Sequence, residues 1–475
     1  MVGERLPDGF RVVLDRRVRR LAGADGGAAL LGLSPGRLLH LAPAAVRLLD
    51  GRRELQVDGA TSARLCRHLL DAGIGHPLPD PDLGPPESEV TVVVPVKDRP
   101  DELRRLLVAL ADTTNVLGGV IVVDDGSGDP AACRAVAEEH GARLIRHDNS
   151  RGPASARNTG AAAAHTELVA FLDSDVVPQP GWLAPLLGHL ADRAVMLAAP
   201  RIVALPGNGA QSWLARYERV RSSLDLGPDP GSIVPRTRVA YVPSAALLIR
   251  TEVALFDEDM HVAEDVDLVL RLHAAGWRMR YEPSALVAHE HRVAAVGWWM
   301  RKAFYGTGAA PLALRHPGSV PPAVVAPWMA ATCLLIASQR RYGVLGAAAL
   351  TGVAWFRMRR TLIRLRRPGT TATLLTGLGL HSALSQAAGL LLRHWWPLTV
   401  IGCLFSRRLR RATLVASVAE ALVDRHNHDP SRLDPLRYLV AHRADDLAYG
   451  AGLWYGALRN RTLAPLRPMF TKKKP

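Results

Sequence analysis

Leu168-Val169-Ala170-Phe171-Leu172-Asp173-Ser174-Asp175-Val176-Val177-Pro178 is the stretch that decides the fold. Five apolar residues with a turn signal after them have the pattern of a buried strand. Asp173 and Asp175 stand one residue apart where that strand ends. In open α/β sheets ligands bind at the carboxyl edge of the strands. Two hard oxygen donors placed there suit Mg²⁺ or Mn²⁺ carried by a diphosphate. An isolated Asp-x-Asp is equally a solvated turn, so the surrounding chain has to decide.

Working outward, Val90 to Val96 is a near-continuous apolar run closed by Lys97-Asp98-Arg99-Pro100. Val120 to Val123 is another, closed by Asp124-Asp125-Gly126-Ser127. Arg151-Gly152-Pro153-Ala154-Ser155-Ala156-Arg157-Asn158 opens an alanine-rich helix just before the Asp173 strand. Helical patterns cover Glu102 to Ala111 and Ala131 to His140. Strands alternating with helices predict βαβ units around a mostly parallel, Rossmann-like sheet. Further on, Ala240 to Arg250 reads as one strand with small residues in its middle. Ala263-Glu264-Asp265-Val266-Asp267-Leu268 then opens a helix running to about Ala275. Acids at a helix start are explained by capping and the macrodipole alone.

Residues 88 to 292 carry these landmarks in an order that resembles the nucleotide-sugar-dependent glycosyltransferases of family 2, with their GT-A fold. The resemblance implies inverting transfer from a nucleotide-diphosphate sugar, usually UDP-linked, with a divalent metal. It implies Asp173, Asp175 and His289 as metal contacts, with Asp175 the more direct ligand of the acidic pair. Pro95, Asp98, Asp124, Asp125, Arg157, Asp173 and Glu264 are implied at the nucleotide sugar, Asp124 and Asp125 accepting from uracil and ribose. Asp265 is implied as the general base that takes the proton of the acceptor hydroxyl. His289-Glu290-His291 leaves open which histidine faces inward. The Gln-x-x-Arg-Trp motif of processive members is absent from Leu272 to Arg280, which argues for one or a few sugars on a discrete acceptor.

The chain has 475 residues, enough for two or three domains, and a net charge of +15. The charge is uneven: residues 292–475 hold 27 Lys/Arg and 6 Asp/Glu, and the rest is mildly acidic. No recognisable nucleic-acid module accompanies the basic tail, so nucleic acid is not expected as a partner. Its arginines flank apolar stretches at Pro321–Ser338, Gly343–Phe356, Thr370–Leu392 and Trp395–Phe405. Only Thr370–Leu392 reaches the length of about 20 residues that a membrane span needs. The pattern fits a helical region on the cytoplasmic face of a membrane, spanning it or lying on it. A buried helical domain would share it. Four widely spaced cysteines indicate a reducing compartment. The charged start, Met1 to Arg5, does not read as a secretory signal.

Residues 1–85 read as a small separate unit: a strand at Phe10–Asp15, a hairpin over Ala28–Leu41, helices at Ala42–Leu49 and Ser62–Gly73, and a stiff linker from His76 to Pro86. The pattern resembles the winged-helix modules that bind leader peptides by strand addition. The expected division is therefore 1–85, 86–295 (GT-A) and 296–475. The stretches Leu31–Pro35, Leu41–Ala45 and Leu69–Pro77, with Val94–Arg99 and Gly152–Asn158, resemble the glycosyltransferases of the actinobacterial mycofactocin system. That resemblance implies transfer of glucose from UDP-glucose onto a peptide-derived redox cofactor precursor, giving a short β-1,4-linked glucan, with a precursor peptide at the N-terminal unit. A membrane-bound family 2 enzyme of cell-envelope synthesis, using a lipid-linked acceptor, is the alternative expectation.

Overall fold

The computed structural model describes residues 5–471 except 25, 34–35, 115–116, 206–211, 292–293 and 429–432. Met1 to Glu4 of the chain start, and Ser34 and Pro35 at the turn of the expected hairpin, lie outside the described residues. The chain divides into two compact units. One comprises residues 1–20, 30–208 and 222–291, the other 21–29, 209–221 and 292–475.

The first unit is built on a nine-stranded sheet. Its elements, in chain order, are β1 (Val90–Val96), α1 (Pro100–Thr113), β2 (Gly119–Asp124), α2 (Pro130–Glu139), β3 (Arg143–Arg146), α3 (Pro153–Ala162), β4 (Leu168–Leu172), β5 (Val176–Pro178), β6 (Val195–Ala204), β7 (Gly231–Ser232), β8 (Ala246–Arg250), α4 (Glu264–Ala274) and β9 (Arg278–His289). The strand order is β5-β9-β6-β8-β4-β1-β2-β3, with β7 beside β9. The half β4-β1-β2-β3 is parallel throughout. β8 runs antiparallel to both β4 and β6, and β5 and β7 run antiparallel to β9. The sheet is therefore mixed, which corrects the mostly parallel expectation. β8 is entered through the irregular stretch 233–245 and runs against both of its neighbours.

Every residue of β1 is buried, and its side chains divide between two cores. Val92, Val94 and Val96 join Leu103, Leu106, Leu107 and Leu110 of α1 on one face. Val93 joins Ala154, Ala156 and Ala161 of α3 on the other. This is the period of two expected of a strand covered on both sides. Each buried leucine contributes roughly 1.5–3 kcal/mol. α3 lies so close to β1 that a Cβ at Gly160 would overlap the Val93 side chain.

The expected strand Ala240–Arg250 forms only over Ala246–Arg250. Pro243, lacking an N–H, sits in the irregular stretch that leads into it. The expected linker is also corrected. Gly75–Leu78 is a strand antiparallel to Arg11–Leu14, which pairs on its other side with Glu54–Gln56. This N-terminal sheet is tied to the core by ion pairs Arg67–Asp192 (2.5 Å), Arg17–Asp229 (2.6 Å) and Arg278–Asp71 (2.8 Å).

The second unit is helical. Pro435–Arg459 packs closely on Ala295–Thr307, since a Cβ at Gly452 would strike the Ala303 carbonyl. Lys302 is buried between Glu218 (2.9 Å) and Asp445 (3.3 Å). Glu420, His442 and Asp446 group together, and Arg443 neutralises both carboxylates. Pro321–Ser338 is not a long apolar helix. Its helix spans only Pro327–Ala337, because prolines interrupt what precedes it. Pro368–His394 is the one described helix long and apolar enough to cross a membrane. Leu334, Leu404 and Phe405 project from neighbouring helices, Phe405 with 85% of its surface exposed.

Candidate active site

The site residues converge on the carboxyl ends of β1, β2 and β4, where strand order reverses and α/β sheets hold ligands. β1 ends in Asp98, a non-glycine residue held at φ +55°. Its N–H donates to Ser127 Oγ at 2.9 Å, and its Oδ1 accepts from the Gly128 N–H at 2.7 Å. The β1 and β2 turns are thus tied together, while the exposed Oδ2 of Asp98 accepts nothing from the described residues. Pro95 is buried inside β1, beyond Val93, where the ladder to β4 stops.

Asp124 and Asp125, expected at uracil and ribose, are engaged by the protein's own donors. Asp124 is fully buried, accepts the Ser127 N–H at 2.9 Å, and pairs with Arg146. Asp125 accepts from the N–H groups of Arg151 (2.8 Å) and Gly152 (2.9 Å), from Ser150 Oγ (2.7 Å) and from His147 (2.8 Å). An ionised carboxylate offers about four acceptor sites, so the protein uses them all. Burial pushes the Asp125 carboxyl up, but these donors outweigh it and hold it below its ordinary value. Both side chains organise the turn and the 147–152 loop. Gly126 completes the turn at φ +73°, where a Cβ would come within 2.7 Å of the Ser150 nitrogen.

Asp173 and Asp175 lie beyond β4, and Arg157 of α3 reaches Asp173. The Arg157 guanidinium, 3% exposed, donates to Asp173 Oδ1 at 2.6 Å and to Glu264 Oε1 at 3.0 Å. It also lies 5.3 Å from the centre of the Phe256 ring. Burial and the nearby Asp175 carboxylate raise the Asp173 carboxyl, against the pull of Arg157. Burial pushes Asp175 up as well, but His289 and Arg99 bring it below its ordinary value. Arg99, which sequence reasoning passed over, forms an ion pair with Asp175. Of the two histidines, His289 approaches Asp175 at 3.4 Å, while His291 lies against His289. Asp173, Asp175 and His289 are of the ligand types a divalent cation takes, with Arg157 and Arg99 paired to the two carboxylates in this arrangement.

Across this network lies α4. Ala263 precedes it in a left-handed conformation, φ +66°, unusual for a residue with a side chain. Asp265 accepts from the Val266 N–H (2.8 Å) and the Ser244 N–H (3.3 Å). Ser244 Oγ lies 3.4 Å from Glu264. Burial, reinforced by the Glu264 carboxylate, pushes the Asp265 carboxyl up to about 7. Asp173, Arg157, Glu264, Ser244 and Asp265 are therefore one connected polar cluster. Ser244 had no sequence signal beyond its place among small residues.

A mixed sheet with a Rossmann-like parallel half and an acidic carboxyl edge is the frame of a sugar-transferring enzyme, and residues 91–248 match the family described as "Glycosyl transferase family 2". Over 489 aligned residues the chain is 46% identical to the "Pre-mycofactocin glycosyltransferase" of Mycobacterium tuberculosis (strain ATCC 25618 / H37Rv), covering 99% of this chain and all of that protein. The chain belongs to this family of family 2 glycosyltransferases and is a glycosyltransferase. It is also 28% identical to the "Succinoglycan biosynthesis protein ExoO" of Rhizobium meliloti (strain 1021), over 42% of this chain and 59% of that one. Among solved structures, the mannosyltransferase PcManGT from Pyrobaculum calidifontis, in complex with GDP-Man and Mn²⁺, aligns at TM-score 0.39 and 20% identity, over 78% of this chain and 89% of that one. GalNAc-T7 with UDP, GalNAc and Mn²⁺ aligns at TM-score 0.35 and 18% identity, over 43% of each chain.

Proposed function

We propose that the chain transfers glucose from UDP-glucose, with inversion, to a hydroxyl of a peptide-derived redox cofactor precursor, and extends it as a short β-1,4-linked glucan. The acceptor reading rests on the name of the 46% identical relative. The chemical reading rests on the raised Asp265 carboxyl, joined through Glu264 and Arg157 to the acidic pair at the sheet edge. The division into 1–85, 86–295 and 296–475 is kept as a functional reading, with the N-terminal unit engaging a precursor peptide.

In this reading Asp265 takes the proton of the acceptor hydroxyl. The acceptor oxygen forms a bond to the anomeric carbon while the bond from that carbon to the diphosphate oxygen breaks on the opposite face. A pKa near neutrality suits a base that must be unprotonated before transfer and basic enough to accept a proton during it. Asp173, Asp175 and His289 would hold Mg²⁺ or Mn²⁺, which when bound neutralises the charge of the departing diphosphate. Arg157 keeps Asp173 and Glu264 in place with its fixed fork of donors. Asp98 Oδ2 supplies an acceptor for the nucleoside, framed by the turn that Asp124 and Asp125 organise.

The exposed apolar residues of the helical unit, together with Pro368–His394, support attachment to a membrane, which this reading puts at its cytoplasmic face. They also favour a second reading, a lipid-linked acceptor of envelope glycan synthesis. Incubation with a panel of UDP- and GDP-sugars, a phenolic acceptor and a polyprenyl phosphate acceptor, read by mass spectrometry, tests both. Hexose addition to the phenolic acceptor from UDP-glucose is expected. Addition only to the lipid would replace the first reading with the second, and addition to neither would remove both.

A further inference from the structure

A cavity of about 450 Å³ lies at the start of β9, lined by both the N-terminal sheet and the core of the first unit. β9 lies beside β6 with Arg280 at Ala198 and His289 at Ala204, so about six residues of strand, roughly 20 Å, separate the cavity from the acidic pair. Its carboxylates are spoken for. Asp15 accepts from His76 at 2.7 Å, and Asp71 is paired with Arg278 at 2.8 and 2.9 Å. Of its guanidiniums, Arg17 is paired with Asp229 and Arg278 with Asp71, while Arg37, Arg238 and Arg280 are not matched in the same way. Arg280 is 2% exposed and donates to Ser232 Oγ at 2.5 Å, with no carboxylate at ion-pair distance among the described residues. Among the described residues, Arg238 donates to the carbonyls of Leu226, Asp229 and Pro230, and Arg37 to the Asp71 carbonyl.

Two buried polar atoms on lining residues have no hydrogen-bond partner among the described residues: Arg280 Nε and His76 Nδ1. Buried polar groups are nearly always hydrogen-bonded, and a buried unpaired cation is expensive. Burial accordingly brings the Arg280 guanidinium down to about 10, low for a group that normally stays charged under all conditions. The remaining lining is apolar at Leu70, Ile233, Val234 and Met279, with Trp277 alongside. The volume falls within the range of small-molecule pockets.

We propose that this cavity is a second ligand site, taking a small molecule with an apolar body and a carboxylate or phosphate group, the oxyanion paired with Arg280 and Arg238. Guanidinium forks match either oxyanion. The inference is independent of the sugar-transfer reading, because none of its residues belongs to the acidic cluster.

The test is calorimetric titration of the full chain with 3-phenylpropionate, with phenyl phosphate, and with the neutral 3-phenylpropanamide. Binding of at least one anion and not of the amide is expected, and the stronger anion identifies the source class. Arg280→Met and Arg238→Ala should each weaken the anion about tenfold or more, the effect of losing a charge-assisted hydrogen bond. Unfolding temperatures of the variants check that the fold survives. If Arg280→Met does not fold, exposed Arg238 decides. No binding of either anion at millimolar concentration, equal binding of the amide, or unchanged affinity in the folded variants would overturn the proposal.

Discussion

Replacing Asp265 with Asn should make the protein more stable and nearly inactive at once. Moving a carboxyl from its ordinary 3.8 to about 7 corresponds to about 4 kcal/mol of folding free energy opposed by the charged form. Asn removes that charge, and with it the repulsion from Glu264. It also offers one acceptor oxygen where Asp265 now receives two N–H groups, costing about 1 kcal/mol. The net gain at pH 8 is about 2–3 kcal/mol, several degrees of unfolding temperature. Because the folded pKa is raised, the wild-type penalty is complete above pH 7. It fades as pH falls through that value, and is gone below about pH 4, where the unfolded state is protonated too. The stability difference should therefore shrink steadily between pH 8 and pH 5. Transfer should meanwhile drop by about 10²- to 10⁴-fold, the contribution of a positioned base. Wild-type kcat/KM should rise with pH through about 7. Thermal unfolding at pH 8, 6.5 and 5, with transfer rates on the same samples, provides the check. A variant less stable than wild type at pH 8, or one within tenfold of wild-type turnover, would refute the reasoning.

Three further outcomes are expected. Arg157→Met should cost about 3–5 kcal/mol, because it leaves Asp173 and Glu264 without their shared buried cation; thermal melts measure it, and loss below 1 kcal/mol would argue against that bridge. Chelation with EDTA should stop transfer and added Mn²⁺ or Mg²⁺ restore it, as followed by UDP release; full turnover in chelator would remove the metal from the reading. Gly160→Val should destabilise by about 1–3 kcal/mol through collision with Val93, seen as a lower denaturation midpoint with unchanged denaturant dependence.

The parallel half of the sheet was legible because β1, β2 and β4 are short apolar runs closed by Asp- and Gly-bearing turns. Local pattern carries that much. It does not carry strand direction, so antiparallel β8, which depends on a long irregular approach, was not foreseen. The acidic positions were readable as residue types, but what each one faces was not. Asp125 and Asp175 look alike in sequence. One is saturated by four protein donors, and the other stands beside an imidazole and a guanidinium. Arg99 and Ser244 lacked any signal because their partners lie 76 and about 20 residues away. The N-terminal strand at Gly75–Leu78 hid behind a proline, tolerable there because it lies on the sheet's outer strand.

That outer strand has a consequence for how the molecule is held together. Arg11–Leu14 is the middle stave of three, flanked by segments that follow it by some forty and sixty residues. Trimming the chain back to residue 14 would therefore remove the keystone of the small sheet while leaving most of its sequence in place. The orphaned outer pieces, Glu54–Gln56 and Gly75–Leu78, do not touch each other in the ladder and would have nothing to lean on.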